Sequence, residues 1–299
     1  MRASYGSLQL LGLRAGGYPF SPRAVFLLIG DKCSGGCSFC PQSVGNSEKL
    51  SRVTWPVVSR EEILDAISEK PDIDRICVQA VRGDSSLAEV VALLTEIKKI
   101  TKAPVSVSMS VENFKDAKHL FSAGASNISV ALDCSSKELA GRYKDIDFEA
   151  TVLLLKNLAS QFPGRVTTHI IAGLGETDAE LVELVRSLIK SGVIVSLFAF
   201  TPIDGTELEN QKPPELKRYR RLQATLALLQ ADTNWKIEYG DDGFIINIGN
   251  TKGILKATDF QVRGCPGCNR PYYNERPGGI IYNHPNPPDL DTVLKELDL

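Results

Sequence analysis

The amino-acid sequence predicts an α/β protein: a partial (βα)6 TIM-type barrel with a small C-terminal extension. From residue 24 onward, short apolar runs rich in Val and Ile alternate with longer amphipathic stretches, which is the pattern of repeated βα units. Several amphipathic stretches open on Ser or Thr with Glu three residues later, as helix capping boxes do. Because a complete barrel of this type has eight units, six units predict an incomplete, open barrel.

Six apolar runs are predicted as strands: residues 24–30, 73–79, 105–109, 128–132, 165–172 and 193–201. Four capping boxes are predicted at the starts of helices: Ser59 with Glu62, Ser86 with Glu89, Ser135 with Glu138, and Thr177 with Glu180. Gly124 is expected to end a helix in the left-handed conformation. The sixth helix is expected over residues 215–230.

Three segments are predicted along the chain. Residues 1–23 form an N-terminal extension, residues 24–231 form the barrel, and residues 232–299 form a C-terminal extension that carries a second pair of cysteines. Within the last segment, the runs 235–239 and 244–248 flank a turn rich in Gly and Asp, which predicts a β-hairpin.

The composition is that of an ordinary globular protein and argues against several classes of function. With 34 basic and 36 acidic residues the formal net charge is −2, so the chain lacks the basic surface that binds nucleic acid. No apolar run approaches the roughly 20 residues that cross a bilayer. The N-terminus lacks the apolar core of a secretion signal. We therefore expect a cytoplasmic protein that binds neither nucleic acid nor a membrane.

The seven cysteines indicate metal binding rather than disulfides. Five of them lie in two tight groups, whose members are too close in sequence for a disulfide framework. The first group, Cys33, Cys37 and Cys40, follows the first predicted strand, where a loop at the mouth of the barrel is expected. Three thiolates can hold a four-iron cluster and leave one iron open to an exchangeable ligand. A zinc site closed by a fourth ligand is the alternative.

This C-x3-C-x2-C loop, with the aromatic Phe39 before its third cysteine, resembles that of the radical S-adenosylmethionine (radical SAM) superfamily. The resemblance implies that Cys33, Cys37 and Cys40 hold a [4Fe-4S] cluster whose open iron chelates S-adenosyl-L-methionine. It implies that Phe39 packs near the adenine. It also implies that electron transfer cleaves the sulfonium to a 5'-deoxyadenosyl radical, which takes hydrogen from an unactivated carbon.

Within the superfamily, residues 40–43 (Cys-Pro-Gln-Ser) and residues 172–177 (Ala-Gly-Leu-Gly-Glu-Thr) resemble biotin synthase. That resemblance implies cofactor-binding roles for Asp133, Gly173 and Glu176. Considered from the residues alone, a turn glycine and an acidic residue near a helix N-terminus explain Gly173 and Glu176 equally well.

The second cysteine group, Cys265 and Cys268, forms a C-x2-C in a loop rich in turn residues. Two thiols cannot complete a cluster, so other ligands must come from elsewhere, and Cys77 and Cys134 are the cysteines that remain. Of the three strand cysteines that hold the second cluster of biotin synthase, this sequence keeps only Cys77. The alternative role for Cys77 is that of a small buried hydrophobe. A second cluster in such an enzyme suggests sulfur insertion, because the cluster can surrender a sulfide to a carbon radical.

The runs at residues 14–20 and 265–274, together with the first cysteine loop, resemble the two-protein lipoyl synthase of archaea and some bacteria. The resemblance implies an octanoyl chain on a lysine of a carrier protein, either a lipoyl domain or the glycine cleavage H protein, as the substrate. The implied partners are a paralogous radical SAM subunit, which installs the other sulfur, and an electron donor such as ferredoxin or flavodoxin.

Other functions stay open from the sequence. One is a biotin synthase-like or other single-cluster radical reaction, such as a mutase reaction, on a small molecule. Another is a non-catalytic metal-binding module that docks a partner through its tail.

His169 is the histidine placed to touch a ligand, although a satisfied core histidine is the commoner role. Arg270, Tyr272, Tyr273 and Arg276 follow the second cysteine pair and are suggested as clamps for a substrate or carrier.

Overall fold

The computed structural model of the protein describes residues 1–16, 22–83, 86–270, 275 and 278–297. Parts of the runs 14–20 and 265–274, as well as Tyr272, Tyr273 and Arg276, lie outside the described residues. The strands are β1 (Arg2–Ala3), β2 (Ala24–Ile29), β3 (Lys49–Leu50), β4 (Val53–Thr54), β5 (Arg75–Ala80), β6 (Val105–Ser108), β7 (Ala125–Ser129), β8 (Val166–Ala172), β9 (Ile194–Ala199), β10 (Glu238–Tyr239) and β11 (Ile245–Asn247). The helices are α1 (Tyr5–Leu10), α2 (Arg60–Ser68), α3 (Ser86–Ile100), α4 (Phe114–Ala123), α5 (Lys137–Tyr143), α6 (Phe148–Gln161), α7 (Asp178–Lys190), α8 (Leu216–Ala231) and α9 (Leu290–Leu297), with a 3-10 turn at Ala257–Phe260.

Seven strands form the main sheet, in the order β1-β2-β5-β6-β7-β8-β9. The six from β2 to β9 are parallel and correspond to the six predicted strands, so the predicted α/β class is confirmed. The short β1 was not predicted; it pairs with β2 in the antiparallel direction. Because the order has two ends, β1 and β9, the sheet does not close on itself within the described residues.

Side chains on each parallel strand alternate between a helix-covered outer face and an inner face. On β2, Val25 and Leu27 pack into the large core that the helices share. Phe26 and Leu28 instead belong to a separate buried cluster that includes Cys77 of β5. Cys77, the cysteine predicted to lie on a strand, is therefore on the inner face of the sheet.

The fourth predicted strand is wrong by about three residues: β7 is Ala125–Ser129, whereas the prediction was 128–132. Gly124, at φ +116°, ends α4 in the predicted left-handed conformation, and the chain enters β7 directly. Beyond β7 the chain still runs beside β8, since Val130 N donates to Thr167 O at 3.1 Å. The apolar pattern of 128–132 reflects burial of this continuation.

The helix caps are partly as predicted. Thr177 and Glu180 form a reciprocal capping box, with backbone-to-side-chain bonds of 2.9 and 3.2 Å. Ser59 also caps its helix, accepting from Glu62 N at 3.0 Å.

Two predicted caps are wrong by one residue. The cap of α5 is Ser136 rather than Ser135, and Ser86 is the first residue of α3 rather than the cap before it. At both places the sequence has two adjacent serines, which a residue pattern does not distinguish.

The C-terminal extension contains the predicted hairpin in shortened form, as β10 and β11. It then folds back onto α8, which begins and ends within one residue of the predicted helix. Arg220 of α8, only 1% exposed, binds Glu296 of α9 at 2.6 Å and the carbonyl of Ile281 at 2.6 Å. In addition, the backbone of Gln261 forms an isolated parallel β-bridge with the backbone of His284. The extension is thus held on both sides of the loop that carries Cys265 and Cys268.

Among the described helices, none combines the length and apolarity needed to cross a lipid bilayer.

We predict that Arg220→Ala lowers the free energy of unfolding by about 3 kcal/mol, because it removes a buried guanidinium and leaves its carboxylate and carbonyl partners without donors. Chemical denaturation followed by circular dichroism measures the change. Lys118→Ala, an exposed substitution on α4, is the control and is expected to change it by less than about 0.5 kcal/mol. Equal stability of the two variants would contradict the anchoring role.

Candidate active site

A cavity of about 290 Å³ lies on the inner face of the parallel sheet. Every parallel strand contributes to its wall. Representative side chains, from β2 to β9, are Phe26, Cys77, Ser106, Ser129, His169 and Phe198. Both cysteine groups of the sequence also line it. Enclosed sites of this size, mostly apolar with a few polar groups, are typical of small-molecule and cofactor pockets.

The first group, Cys33, Cys37 and Cys40, lies on the loop that leaves the carboxyl end of β2, as predicted. Local hydrogen bonds fold this loop. Cys40 N donates to Cys37 O at 3.1 Å, and the Ser43 hydroxyl lies 2.8 Å from Cys37 O and 2.7 Å from Cys40 O. Ser38 N donates to Tyr143 O at 2.9 Å, which fastens the loop to α5.

The donor set of the first group fits an iron–sulfur cluster. Thiolates are the ligands that such clusters take, and three of them from one loop face one cavity. In the part of the chain that the structure describes, no three Cys, His, Asp or Glu side chains are close enough to hold a single metal ion. Neither cysteine group therefore has the tight spacing of a tetrahedral zinc site.

Burial makes these thiols weak acids. It raises the pKa of Cys37 to about 12 and that of Cys40 to about 11. Lys144 acts in the opposite direction on Cys37. In the protein alone these two cysteines are therefore protonated at neutral pH, and binding metal as thiolates releases their protons.

Asp133 stands beside the first group in a strained backbone conformation, at φ +61°. Its carboxylate accepts from Lys144 Nζ at 2.5 Å and from His169 Nε2 at 2.8 Å. Burial alone would raise the pKa of Asp133, but Lys144 and His169 outweigh that effect and hold the pKa below its usual range. The aspartate is charged and fixed in position on the cavity wall.

The sequence places His169 where it could touch a ligand, with a core histidine as the commoner role, and gives no indication of Lys144. The structure places His169 on the cavity wall, with its ring edge-on to Phe198 at 5.3 Å. Lys144 caps the end of α5 and also donates to Ala131 O at 2.6 Å. No local pattern marks Lys144, because its partner Asp133 is on a different element.

The other predicted cofactor residues fall in two places. Phe39 lines the cavity, next to the thiols. Gly173 and Glu176 lie on the loop after β8 and are not among the described residues of the cavity wall. The buried Glu176 carboxylate accepts from Gly173 N at 2.7 Å, Leu174 N at 2.8 Å and Arg218 Nη2 at 2.7 Å. These bonds fold the loop, and a cofactor contact for Gly173 and Glu176 stays a prediction.

The second group contains three thiols that are far apart in sequence. Cys77, buried on the inner face of β5, lies with Cys265 and Cys268 of the C-terminal loop on the cavity wall. The pKa of Cys77 is raised to about 12, chiefly by burial; the Cys265 and Cys268 thiols also raise it, whereas Arg270 lowers it. Burial also raises the pKa of Cys268, with a smaller contribution from Cys265, whereas Arg270 and Arg75 lower it.

Cys134 stands apart from these three. It packs in a buried cluster with Tyr143 and Phe200, and its electrostatic neighbours include Asp133 and Cys37 of the first group. Among the described residues of the cavity wall, Cys134 does not appear. The structure thus brings together three of the four cysteines predicted for a second cluster.

The two thiol groups lie at different levels along the strands. The first follows the carboxyl ends of the strands. Cys77 is three residues, or about 10 Å, from the end of β5. Arg270 lies over the rings of Phe26 on β2 and Phe198 on β9, at 5.5 and 5.7 Å. β2 and β9 are the outermost parallel strands, so the open side of the barrel lies between them. Because Arg270 reaches both strands, the C-terminal loop covers this open side near Phe26 and Phe198.

Residues 27–188, just over half of the chain, match the family model described as the radical SAM superfamily. A biotin synthase of Methanococcus vannielii is 26% identical over 64% of this chain and 59% of the relative. Lipoyl synthases of Janthinobacterium sp. and Picrophilus torridus are 24% and 23% identical over 55% and 68% of this chain. The chain covers 51% of the former and 71% of the latter, so it spans about half to three quarters of these relatives.

Solved structures share the fold. The hydrogenase maturase HydG from Carboxydothermus hydrogenoformans matches with a TM-score of 0.57 at 13% identity, over 70% of this chain and 52% of that one. A methylornithine synthase matches with a TM-score of 0.52 at 16% identity, over 92% and 80%. At these identities the likeness shows the fold alone.

We predict that Lys144→Met destabilises the protein by about 3 kcal/mol and shifts acid unfolding to higher pH. The stability that comes from the lowered pKa of Asp133 is present above about pH 4 and is lost as pH falls towards the folded-state pKa. Without Lys144 that pKa rises, so the loss begins at higher pH. Acid titration followed by circular dichroism measures the midpoint.

The control for this prediction is Lys137→Met, which breaks an exposed pair with Glu149. It should leave the acid midpoint where it is in the wild type, because solvent screens that pair. A Lys144→Met protein with the wild-type midpoint would show that Lys144 does not govern Asp133.

Proposed function

Because the chain belongs to the radical SAM superfamily, we propose that it inserts sulfur into an octanoyl chain on a lipoyl-carrier protein, as a lipoyl synthase-type sulfurtransferase. One observation carries this proposal: Cys77, Cys265 and Cys268 converge in the same cavity as the first cysteine group. A hydrogen-abstracting site alone would need only the first group. The relatives named lipoyl synthase and biotin synthase support the same reaction class.

Cys33, Cys37 and Cys40 would hold the [4Fe-4S] cluster that binds S-adenosyl-L-methionine, and Cys77, Cys265 and Cys268 would hold a second cluster. When bound, the first cluster would supply the electron that cleaves S-adenosylmethionine to methionine and a radical that takes hydrogen from the substrate carbon, and the second cluster would supply the sulfide that replaces that hydrogen.

The protein's own residues orient the reactants and exclude water. Phe39 offers an apolar face beside the first group, and Asp133, held by Lys144 and His169, offers a fixed negative charge. The cavity wall also includes apolar side chains such as Phe198, which suit a hydrocarbon chain. The substrate carbon would lie between the two thiol groups.

The proposed partners are those of a lipoyl synthase subunit. They are an octanoylated lipoyl domain or glycine cleavage H protein, a paralogous radical SAM subunit for the other sulfur, and ferredoxin or flavodoxin as electron donor. A cytoplasmic location is part of the same proposal.

The second candidate is a biotin synthase-like or single-cluster radical reaction on a small molecule. The 26% identity to a biotin synthase favours it. On this reading Cys265 and Cys268 bind no cluster, and their loop serves only to close the barrel.

Counts of iron and sulfide in protein purified without oxygen distinguish the two candidates. We expect the variant with Cys33, Cys37 and Cys40 replaced by Ala to keep about half of the wild-type iron, and the variant with Cys77, Cys265 and Cys268 replaced by Ala to keep the other half. Cys134→Ala is the matched control and should keep all of it. If the first triple variant holds no iron, the single-cluster candidate replaces the sulfur-insertion proposal.

Turnover separates radical formation from sulfur transfer. With dithionite and an octanoylated H protein, the variant lacking the second group is expected to form 5'-deoxyadenosine but no carbon–sulfur bond, since only the sulfur source is missing. Mass spectrometry of the carrier detects the gained sulfur atom. A sulfur-containing product from this variant at the wild-type yield would refute the assignment of Cys77, Cys265 and Cys268 as the sulfur site.

A further inference from the structure

We propose that Arg75 positions the C-terminal cysteine loop in the cavity and supplies a positive charge to the group that Cys77, Cys265 and Cys268 bind. The inference rests on the proposed function, because it concerns the second thiol group. It assigns a positioning role to a residue that belongs to neither cysteine motif.

Arg75 is the first residue of β5 and is buried. Its Nε donates to Pro266 O at 2.6 Å. Pro266 lies between Cys265 and Cys268, and Cys268 N donates to Cys265 O at 3.0 Å to close the turn. One hydrogen bond from the barrel therefore holds the turn that carries both thiols.

The guanidinium is itself fixed by two neighbouring strands. Its Nη1 lies 2.7 Å from Ser106 Oγ on β6 and 2.9 Å from Ser126 Oγ on β7, with Asn127 Oδ1 at 3.3 Å. These bonds span three strands and make the planar fork rigid. A side chain held in this way can place a loop accurately, which is what a buried site requires of its supporting residues.

Among the residues that the structure describes, no carboxylate balances the charge of Arg75. No Asp or Glu in the described ranges forms an ion pair with it, although a buried arginine ordinarily has such a partner. Nη2 makes no hydrogen bond within the same ranges, and Arg75 lines the cavity. Thiolates that hold an iron–sulfur cluster are the anionic group that this cation fits.

The experiment compares Arg75→Gln and Arg75→Lys with the wild type and with Arg186→Gln. Arg186 is the matched control, because it also holds the extension through backbone carbonyls, those of Thr233 and Trp235, but is remote from the thiols. Iron and sulfide are counted after anaerobic reconstitution, and the reduction potential of the second cluster is measured in the background that lacks Cys33, Cys37 and Cys40.

We expect Arg75→Gln to lose about half of the total iron while still cleaving S-adenosylmethionine, which shows that the barrel is folded. Arg75→Lys should keep more iron than Arg75→Gln, because it retains the charge. Any second cluster that Arg75→Gln keeps should have a more negative potential, since removal of a nearby cation disfavours reduction. Arg186→Gln should match the wild type in iron and potential.

The inference is overturned if Arg75→Gln keeps the wild-type iron content and potential. If Arg75→Gln does not fold, Arg75→Lys decides: it should bind less iron in the second site than the wild type, and wild-type occupancy and potential would overturn the inference. Failure of the proposed function has a different signature, because the wild type itself would then hold iron at the first group alone.

Discussion

The alternation of side chains along six parallel strands is the constraint on which the site depends. It directs every second residue into one shared interior, so that Cys77 of β5 and His169 of β8 face the same cavity as the loop that leaves β2. Because the sheet has two free ends, the interior would be open on one side. The C-terminal loop closes that side and brings Cys265 and Cys268 with it. The same loop therefore both closes the barrel and completes the second thiol group.

The interior is also organised by charge. Buried thiols and a buried carboxylate are costly unless cations accompany them. Lys144 and His169 hold Asp133 near the first group, and Arg75 and Arg270 stand near the second. Each thiol group therefore has a nearby cation that is fixed by other hydrogen bonds. Such an arrangement stabilises thiolates that bind metal, which burial alone would oppose.

Much of the fold was predictable because its signals are local. The six strands, the Thr177–Glu180 capping box and the left-handed Gly124 follow from periodicity and from the preferences of single residues. The errors also have local causes: adjacent serines shifted two caps, and the buried chain after β7 looked like strand. The antiparallel β1 and helix α9 escaped prediction, because short terminal elements are stabilised by packing rather than by their own pattern.

The candidate site was predictable only in part. The Cys33, Cys37 and Cys40 loop and the C-x2-C of the tail are sequence motifs, but which other thiol joins the tail pair is a matter of tertiary structure. The structure favours Cys77 over Cys134, since strand alternation turns the former inward and the latter lies in a separate apolar cluster. Lys144 carries no motif. Arg75 left one signal, since it and Asp74 are charged residues inside a run that is otherwise typical of a buried strand.

Anomalous diffraction at the iron edge, on crystals of the anaerobically reconstituted protein, locates the bound iron directly. We expect two separate iron sites in one cavity, the first bound by Cys33, Cys37 and Cys40 and the second by Cys77, Cys265 and Cys268, with Arg75 beside the second. A single iron site at the first group, with the Cys265–Cys268 loop unmetallated in fully reconstituted protein, would contradict it.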